Sequence, residues 1–509
     1  MEIIVKDGAN LNEHYTKVAR EIADYVTKDL HLSFGDVEFR LVDNEGIAEG
    51  FALYHSPLPT WYTGQNYIVL KEQLNSRYGS LYEMVSHVYY NRLDNRKYTV
   101  VYLNKADTEA EMRGVIAHVY GHLHMDYNNF VCRGIEEDLE KHKIYRDRYR
   151  KLEKMLGEKI VEKVYDTADS LSSLMDLYPE LRDKKDKDYY TTSTISPDRP
   201  ENDIYRFVID NAKLMPWEKE IHEMIYDISR SQRFARVKII HEGFATWVQE
   251  KYALYGEKDP KMAAKIESHL LSIADPTHPS QFPYAFGFRL FKNIEERWDK
   301  GRFGYEHEIL SDEEKRGYDN HAKKGLEKIL ELVKYNTDWD FIESYADDEF
   351  LMTYLNEIRS SLKENGAESL EEMDRLAEFE KMTPKDFKTN ILFQIDVRFP
   401  RLFIPRGGAN FRDNGSLLLE QDLSFLRKYF ESDPTFDEEK QKELKGHFTL
   451  NNHRTHNTMH RLASVWKKDV FLQTVDVAGD SILLKSDGKE ISVIDLNKKK
   501  HAPVAYSWV

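Results

Sequence analysis

The hydrophobic and polar positions of the chain follow a helical period over most of its length. Apolar residues spaced three and four apart predict an amphipathic helix over residues 11–30. Alternating positions predict strands at 36–42 and 97–103, the second rich in β-branched and aromatic residues. Charged stretches with helical periodicity predict further helices at 134–185, 216–231, 233–253, 284–298 and 305–385.

One of the predicted helices has a clear start signal. Thr108 is followed three positions later by Glu111, and the two residues can exchange hydrogen bonds in a capping box. No proline interrupts the sequence that follows, so we predict a helix from about residue 108 to 127.

The pattern changes near residue 391. Short alternating segments, separated by Gly-Gly, Asn-Gly and Asp-Gly turns, predict strands at 391–397, 416–420, 471–477, 481–484 and 491–494. A chain of 509 residues is long enough for two or three domains. We therefore predict an α+β, mostly helical protein with a helical domain at 1–390 and a smaller C-terminal α+β domain at 391–509.

Composition and charge exclude several classes of protein. A net charge of −16 argues against a general binder of nucleic acid. The one cysteine, Cys132, excludes a disulfide framework within the chain and a zinc cluster of thiolates. The chain starts without a basic segment followed by an apolar one, and no apolar run reaches about 18 residues. We therefore expect a cytoplasmic protein with no membrane span and no nucleic-acid partner.

The candidate chemistry begins with two histidines on the helix predicted at 108–127. His118 and His122 are four positions apart, a spacing that puts both side chains on one helix face about 5–6 Å apart at Cβ. Two imidazoles so placed can hold one ion at about 2.0–2.1 Å each. The spacing alone is weak evidence, because the chain contains 19 histidines.

A second helical stretch supplies a third candidate ligand. Glu242 is followed by Gly243 and, two positions later, by Ala245, and such small residues allow two helices to approach closely. A carboxylate buried at that contact must be paired or bound to a metal, because an isolated buried charge is very costly. We therefore predict that His118, His122 and Glu242 hold one divalent metal ion, zinc before iron(II).

This pair of stretches resembles the gluzincin peptidases. In that family a His-x-x-x-His helix packs on a helix with the sequence Glu-Gly-Phe-Ala, and the large aminopeptidases have asparagine before the glutamate where this chain has His241. The resemblance implies a zincin/gluzincin-like metal-binding core. By the same resemblance, Tyr284 or His269 could donate to a substrate oxygen in catalysis, although each could equally be a core aromatic residue.

The usual catalytic base of a gluzincin is missing. Gluzincins carry His-Glu-x-x-His, and that glutamate activates the metal-bound water. Here the position is Val119, which cannot accept a proton. Four ionisable residues near the two stretches are candidates to replace the missing carboxylate, namely Glu111, His124, His241 and Glu250.

A set of motifs along most of the chain resembles the SpoVR family, which is named for a stage V sporulation protein and is also present in bacteria that do not sporulate. The N-terminal motifs are Ala117-His118-Val119-Tyr120-Gly121-His122, Asn128-Asn129, Glu242-Gly243-Phe244-Ala245-Thr246 and Pro283-Tyr284-Ala285-Phe286-Gly287-Phe288. The C-terminal motifs are Asn410-Phe411, Gly415-Ser416-Leu417-Leu418-Leu419, His460-Arg461, Trp466, Leu472-Gln473-Thr474 and Asp487-Gly488.

The resemblance implies a cellular context more than a reaction. It implies a role in stress or sporulation and protein partners from a pathway with a serine-protein kinase and a von Willebrand-type protein. The family also lacks the glutamate between the histidines, so Val119 is a family trait. The chain departs from its relatives at Asp166-Thr167-Ala168-Asp169-Ser170, where they have a Cys-His pair.

Three functions are compatible with these observations. The first is a metal-dependent hydrolase acting on a peptide or a cell-wall-related amide. The second is a non-catalytic, metal-stabilised scaffold that binds partner proteins through its C-terminal domain. The third is a non-haem iron(II) enzyme, because two histidines and one carboxylate are also the ligand set of that class.

Overall fold

The structure is a computed structural model. It describes the following residues: 1–47, 86–91, 96–134, 139–177, 202–364, 370–395, 402–421, 453–475, 480–495 and 501–503. The chain forms two compact units, each built from two segments. The first unit contains Met1–His142 and Arg233–Asp396, and the second contains Lys143–Gln232 and Val397–Val509. The domain division at 390/391 stays a prediction, while residues 143–232 pack with the C-terminal segment.

The first unit begins with a mixed β-sheet. Its strands are β1 (Ile3–Lys6), β2 (Asp36–Val42), β3 (Ser86–Asn91) and β4 (Arg96–Asn104), in the spatial order β1-β2-β4-β3. β1, β2 and β4 are parallel, and β3 is antiparallel to β4. The predicted strands at 36–42 and 97–103 are therefore confirmed.

Helices make up most of the other described residues of the first unit. The helix predicted at 11–30 is α1 (Ala9–Lys28), and the capped helix is α2 (Glu109–Asn128). α1 is joined to α2 by the hydroxyl of the fully buried Tyr120, which donates to the Ala19 carbonyl at 2.9 Å. The phenol ring of Tyr120 also stacks on Phe34.

Four described helices precede the sheet of the second unit, namely α3 (Leu139–Leu156), α4 (Glu158–Leu171), α5 (Ile204–Asn211) and α6 (Pro216–Ser229). The first of them starts just before the boundary between the units, at Leu139. Their apolar faces join one core with the C-terminal segment, as Phe207 stacked on Trp466 at 6.0 Å illustrates.

The remaining described helices of the first unit follow Arg233. They are α7 (Lys238–Lys251), α8 (Pro260–Ile273), α9 (Phe282–Asp299), α10 (Gly304–Glu308), α11 (Asp312–Arg316), α12 (Gly325–Tyr335), α13 (Asp338–Tyr345), α14 (Asp348–Glu364), α15 (Leu370–Lys381) and α16 (Pro384–Gln394). α7 lies at the centre of the unit, because it packs against both α2 and α9.

The described part of the C-terminal segment contributes a sheet and a helix to the second unit. The strands are β5 (Leu402–Phe403), β6 (Leu417–Gln421), β7 (Val470–Val475), β8 (Ser481–Ser486), β9 (Ile491–Asp495) and β10 (His501–Pro503), and α17 (His453–Trp466) precedes β7. Neighbouring strands pair in chain order, and all pairs are antiparallel except β6 with β7. Four of the predicted C-terminal strands, at 416–420, 471–477, 481–484 and 491–494, are thus present.

The strand predicted at 391–397 is wrong over its described part, because α16 continues to Gln394. Thr383 and Asp386 form reciprocal hydrogen bonds at the start of this helix, which a strand prediction overlooks. The buried residues Phe387, Ile391 and Leu392 then follow helical spacing. The mostly helical character with a smaller proportion of sheet is confirmed. Among the described helices, none combines the length and the apolar character that crossing a membrane requires.

Candidate metal centre

The helix α2 carries the two candidate histidine ligands. Its start is the predicted capping box: Glu111 N–H donates to the Thr108 hydroxyl, and Thr108 N–H donates to the Glu111 carboxylate at 2.6 Å. From there α2 runs through the interior of the first unit, and nearly every residue from Ala110 to Met125 is buried. His118 and His122 are therefore buried polar groups, with 7% and 5% of their surface exposed.

The helix α7 carries the third candidate ligand and depends on a distant residue for its N-terminal cap. Val237, at the cap position, forms no side-chain hydrogen bond with the helix. Instead Asp338 accepts from the backbone N–H groups of Ile239 at 2.9 Å and Ile240 at 2.8 Å. Two free N–H groups of the first turn are thereby satisfied. This first turn leads directly into His241 and Glu242.

Contacts between small residues bring α7 close to its neighbours. A Cβ added at Gly121 of α2 would lie 2.7 Å from the Cα of Ala245. A Cβ added at Gly243 would lie 2.4 Å from the backbone of Gly287 in α9. The small residues expected beside Glu242 thus do allow close helix contacts, one on each side of α7.

The three candidate ligands converge on one point. Nε2 of His118 lies 3.6 Å from Oε2 of Glu242, and Nε2 of His122 lies 3.3 Å from the same oxygen. One ligand atom from each residue lies within 4.8 Å of the other two. Tetrahedral ligands at about 2.0–2.1 Å from an ion are about 3.3–3.4 Å apart, so the separations suit a single ion. Among the described residues, no other group of three or more His, Cys, Asp or Glu side chains forms such a cluster.

The buried polar atoms of this cluster also fit a metal ion. Among the described residues, Glu242 Oε2 has no hydrogen-bond partner that satisfies normal geometry, although it is buried. Buried carboxylate oxygens without a partner are costly, and an ion would supply the missing interaction. The residues present therefore fit a divalent ion, and they leave its identity open.

The surroundings of His122 and Glu242 favour the metal-binding protonation states of these two residues. Burial lowers the pKa of His122 to about 4, and His241 and His118 act in the same direction. For Glu242 burial alone would raise the pKa, but the imidazoles of His122 and His118 hold it well below its ordinary value. A neutral imidazole and an ionised carboxylate are the forms that bind a metal ion.

Two aromatic rings lie against the candidate ligands. The ring of Tyr284, in the first turn of α9, is 6.0 Å from that of His118 and inclined by 19°. The ring of His241 is 4.1 Å from that of His122 and inclined by 20°. Tyr284 thus lies beside the cluster, and its catalytic role stays a prediction.

His241 is itself held by a carboxylate that the sequence analysis missed. Nε2 of His241 lies 3.1 Å from Oδ1 of Asp126, and the ring donates because a carboxylate accepts. Burial by itself would lower the pKa of His241, but the hydrogen bond and charge of Asp126 raise it. Asp126 continues the four-residue spacing of His118 and His122, which is the signal that could have identified it.

The second predicted catalytic residue, His269, lies beside the part of α2 that precedes His118. It is buried on α8, and its Nδ1 faces Gly114, one helical turn before His118. Burial lowers its pKa to about 4, against the opposing charge of Glu111. Its catalytic role also stays a prediction.

Three of the four candidates to replace the missing base are engaged elsewhere. Glu111 caps α2, and the Nδ1 of His124 accepts from the backbone N–H of Ser33 at 3.0 Å. Glu250 accepts from Lys292 Nζ at 2.6 Å. The fourth candidate, His241, is the one that contacts a candidate ligand.

The conspicuous motifs of the second unit have structural roles. His460 Nδ1 lies 3.0 Å from the Ser486 hydroxyl, and Trp466 Nε1 donates to the Gly415 carbonyl at 2.8 Å. Arg461 donates to the Ser170 hydroxyl at 2.9 Å, inside the tract where the chain departs from its relatives. The tract therefore helps to join α4 to α17.

Fold and site together define a mostly helical protein with a buried His-His-Glu cluster that could hold a metal ion. The family model described as "SpoVR like protein" matches residues 10–195 and 174–383. The chain therefore belongs to the SpoVR family, and the family resemblance seen in its motifs is confirmed. Comparisons with curated proteins and with solved structures found no match.

Proposed function

We propose that this protein is a metal-dependent hydrolase-like protein in which His118, His122 and Glu242 hold one divalent ion, zinc before iron(II). The observation that carries the proposal is the approach of both Nε2 atoms to Oε2 of Glu242 in a buried site. The packing of α2 on α7 through Gly121 and Ala245 supports a gluzincin-like core. The substrate class would be a peptide or a cell-wall-related amide.

The chemistry would be divided between the ion and the protein. His118, His122 and Glu242 would hold a zinc ion, which would supply Lewis-acid chemistry by lowering the pKa of water towards about 7 and polarising a carbonyl group. Tyr284 lies beside His118, where its hydroxyl would donate to a substrate oxygen. Val119 cannot accept a proton, and the loss of a general base typically costs about 10²–10⁴-fold. We therefore expect slow hydrolysis from the wild-type protein.

Metal analysis of protein purified without chelator tests the site. We expect about one divalent ion per chain in the wild type, and its loss in His118→Ala and Glu242→Gln. The matched controls are His124→Ala, a buried histidine of the same helix, and Glu250→Gln, a buried carboxylate of α7. If His118→Ala and Glu242→Gln retain as much metal as these controls, the assignment of the ligands is wrong.

A gain-of-function variant tests the peptidase-like core. We expect Val119→Glu to hydrolyse peptide or amide substrates faster than the wild type, because it restores the carboxylate that gluzincins use. Val119→Gln introduces a side chain of the same size as glutamate but without its charge, so it controls for the disturbance of a fully buried position. Equal activities of the two folded variants would contradict a peptidase core and favour the scaffold function.

The donor set keeps one alternative open. Two imidazoles and one carboxylate with free coordination positions also suit non-haem iron(II) enzymes. If the purified protein contains iron and its turnover depends on oxygen, the assignment as an iron(II) enzyme would replace the hydrolase proposal. The cytoplasmic location, the role in stress or sporulation and the kinase-pathway partners remain predictions.

A further inference from the structure

Each candidate histidine ligand has a second planar ring lying nearly parallel to it. His118 is paired with Tyr284 at 6.0 Å and 19°, and His122 is paired with His241 at 4.1 Å and 20°. The rings of His118 and His122 are themselves nearly perpendicular, at 84°. Each ligand ring therefore has its plane defined by a different neighbour.

The usual device for orienting a ligand histidine is not seen here. Metal-bound histidines almost always donate their second ring nitrogen to a carboxylate, carbonyl or water, and this bond sets the ring orientation. Among the described residues, neither Nδ1 of His118 nor Nδ1 of His122 has a hydrogen-bond partner, although both atoms are buried. Within the described part of the chain, the contacts that can hold the two rings are those with Tyr284 and His241.

The ring of His241, beside His122, is held by its own helix and by a hydrogen bond to a second helix. His241 precedes Glu242 on α7, and its Nε2 is bound to Asp126, one turn beyond His122 on α2. The ring of His241 thus links the two helices that carry the ligands. On the opposite side, Tyr284 projects from α9, whose Gly287 fits against Gly243. The two flanking rings therefore project from α7 and α9, two helices that are in close contact near the site.

We propose that His241 and Tyr284 are positioning residues that hold the planes of His122 and His118 by ring stacking. Asp126 fixes the ring of His241, and the two clamped imidazoles direct their Nε2 atoms at Glu242. The inference rests on the proposed metal site and deepens it. The role of the Tyr284 ring in metal binding is separate from the donation to substrate proposed for its hydroxyl.

The test is zinc affinity, measured by competition with a chromophoric chelator. Tyr284→Phe keeps the ring and should bind zinc within about threefold of the wild type, whereas Tyr284→Leu should bind about 10–100-fold more weakly. His241→Leu should show the same loss. Phe288→Leu removes a buried ring one turn along the same helix and is the matched control. Loss in Tyr284→Phe equal to that in Tyr284→Leu would overturn the role of the ring.

A pair of substitutions at Asp126 separates anchoring from charge. Asp126→Asn keeps an oxygen that can accept from His241 and should retain zinc affinity, whereas Asp126→Ala should lose about tenfold or more. Equal losses in both variants would show that Asp126 acts through its charge and would overturn the proposed anchor. If the leucine variants fail to fold, this pair still decides the inference.

The absorption spectrum of bound Co²⁺ gives a second measurement. It reports the geometry of the ligands, so it should change in Tyr284→Leu and His241→Leu at saturating cobalt and remain unchanged in Tyr284→Phe and Phe288→Leu. A wild-type protein that binds neither zinc nor cobalt would contradict the proposed function itself. If the wild type binds metal and every variant keeps the wild-type affinity and spectrum, only the proposed positioning by His241 and Tyr284 is overturned.

Discussion

Asp107 is a buried carboxylate just before the capped start of α2. Burial raises its pKa to about 7, and Glu111 acts in the same direction. Among the described residues, its Oδ1 has no hydrogen-bond partner. The folded protein therefore keeps a proton on Asp107 that the unfolded chain releases at lower pH.

This proton makes stability depend on pH. With a pKa raised from 3.8 to about 7, the group's contribution is fully present below about pH 4 and is lost as the pH rises towards 7. We predict that Asp107→Asn matches the wild type near pH 4 and is more stable by about 2–4 kcal/mol near pH 8. Urea unfolding at both pH values measures this difference. The exposed Asp24→Asn is the control, and a constant difference between the two pH values would contradict the prediction.

At the scale of elements, the position of α7 depends on Asp338. We predict that Asp338→Ala lowers the free energy of unfolding by about 1–3 kcal/mol, because two buried N–H groups lose their acceptor. It should also weaken zinc binding, since Glu242 follows in the same turn. Asp340→Ala removes the carboxylate that accepts from Thr337 at the start of α13, and it should cost stability without loss of zinc affinity. Equal zinc affinities for the two variants would argue against this role.

The contact of α2 with α7 has a similar dependence on Gly121. An alanine there would place its Cβ 2.7 Å from the backbone of Ala245, so the helices must move apart. We predict a loss of about 1–3 kcal/mol in stability and zinc binding weaker by about tenfold. Gly317→Ala, where nothing lies within 4 Å of the added Cβ, should match the wild type in both measurements. Calorimetry and chelator competition on the same samples check both effects.

At the scale of the whole molecule, the core of the second unit joins two distant segments. Leu472 of β7 is fully buried in the same cluster as Val208 and Ile221. We predict that Leu472→Ala, which costs about 2–4 kcal/mol, speeds amide hydrogen exchange in residues 143–232 as well as in the C-terminal segment. Leu290→Ala, in α9 of the first unit, should instead speed exchange in α2 and α7. If amide exchange in residues 143–232 instead speeds up in Leu290→Ala, the domain division at 390/391 would be favoured.

Local patterns accounted for much of the fold and for part of the site. Thr108 and Glu111 predict the start of α2 because a capping box involves residues only three apart. His118 and His122 predict a shared helix face for the same reason. Over its described residues, the strand predicted at 391–397 was wrong because its apolar residues suit either period, while the capping pair at Thr383 and Asp386 starts a helix that continues to Gln394.

The sequence by itself determined which side chains are available, which helices begin at a cap and which histidines share a face, since these depend on neighbours within a few residues. Only the tertiary structure decided how the candidate ligands are supported. Asp338 reaches α7 from about a hundred positions away, and Gly287 meets Gly243 across a helix contact. These partners are chosen by packing between distant segments, and packing leaves no periodic signal along the chain.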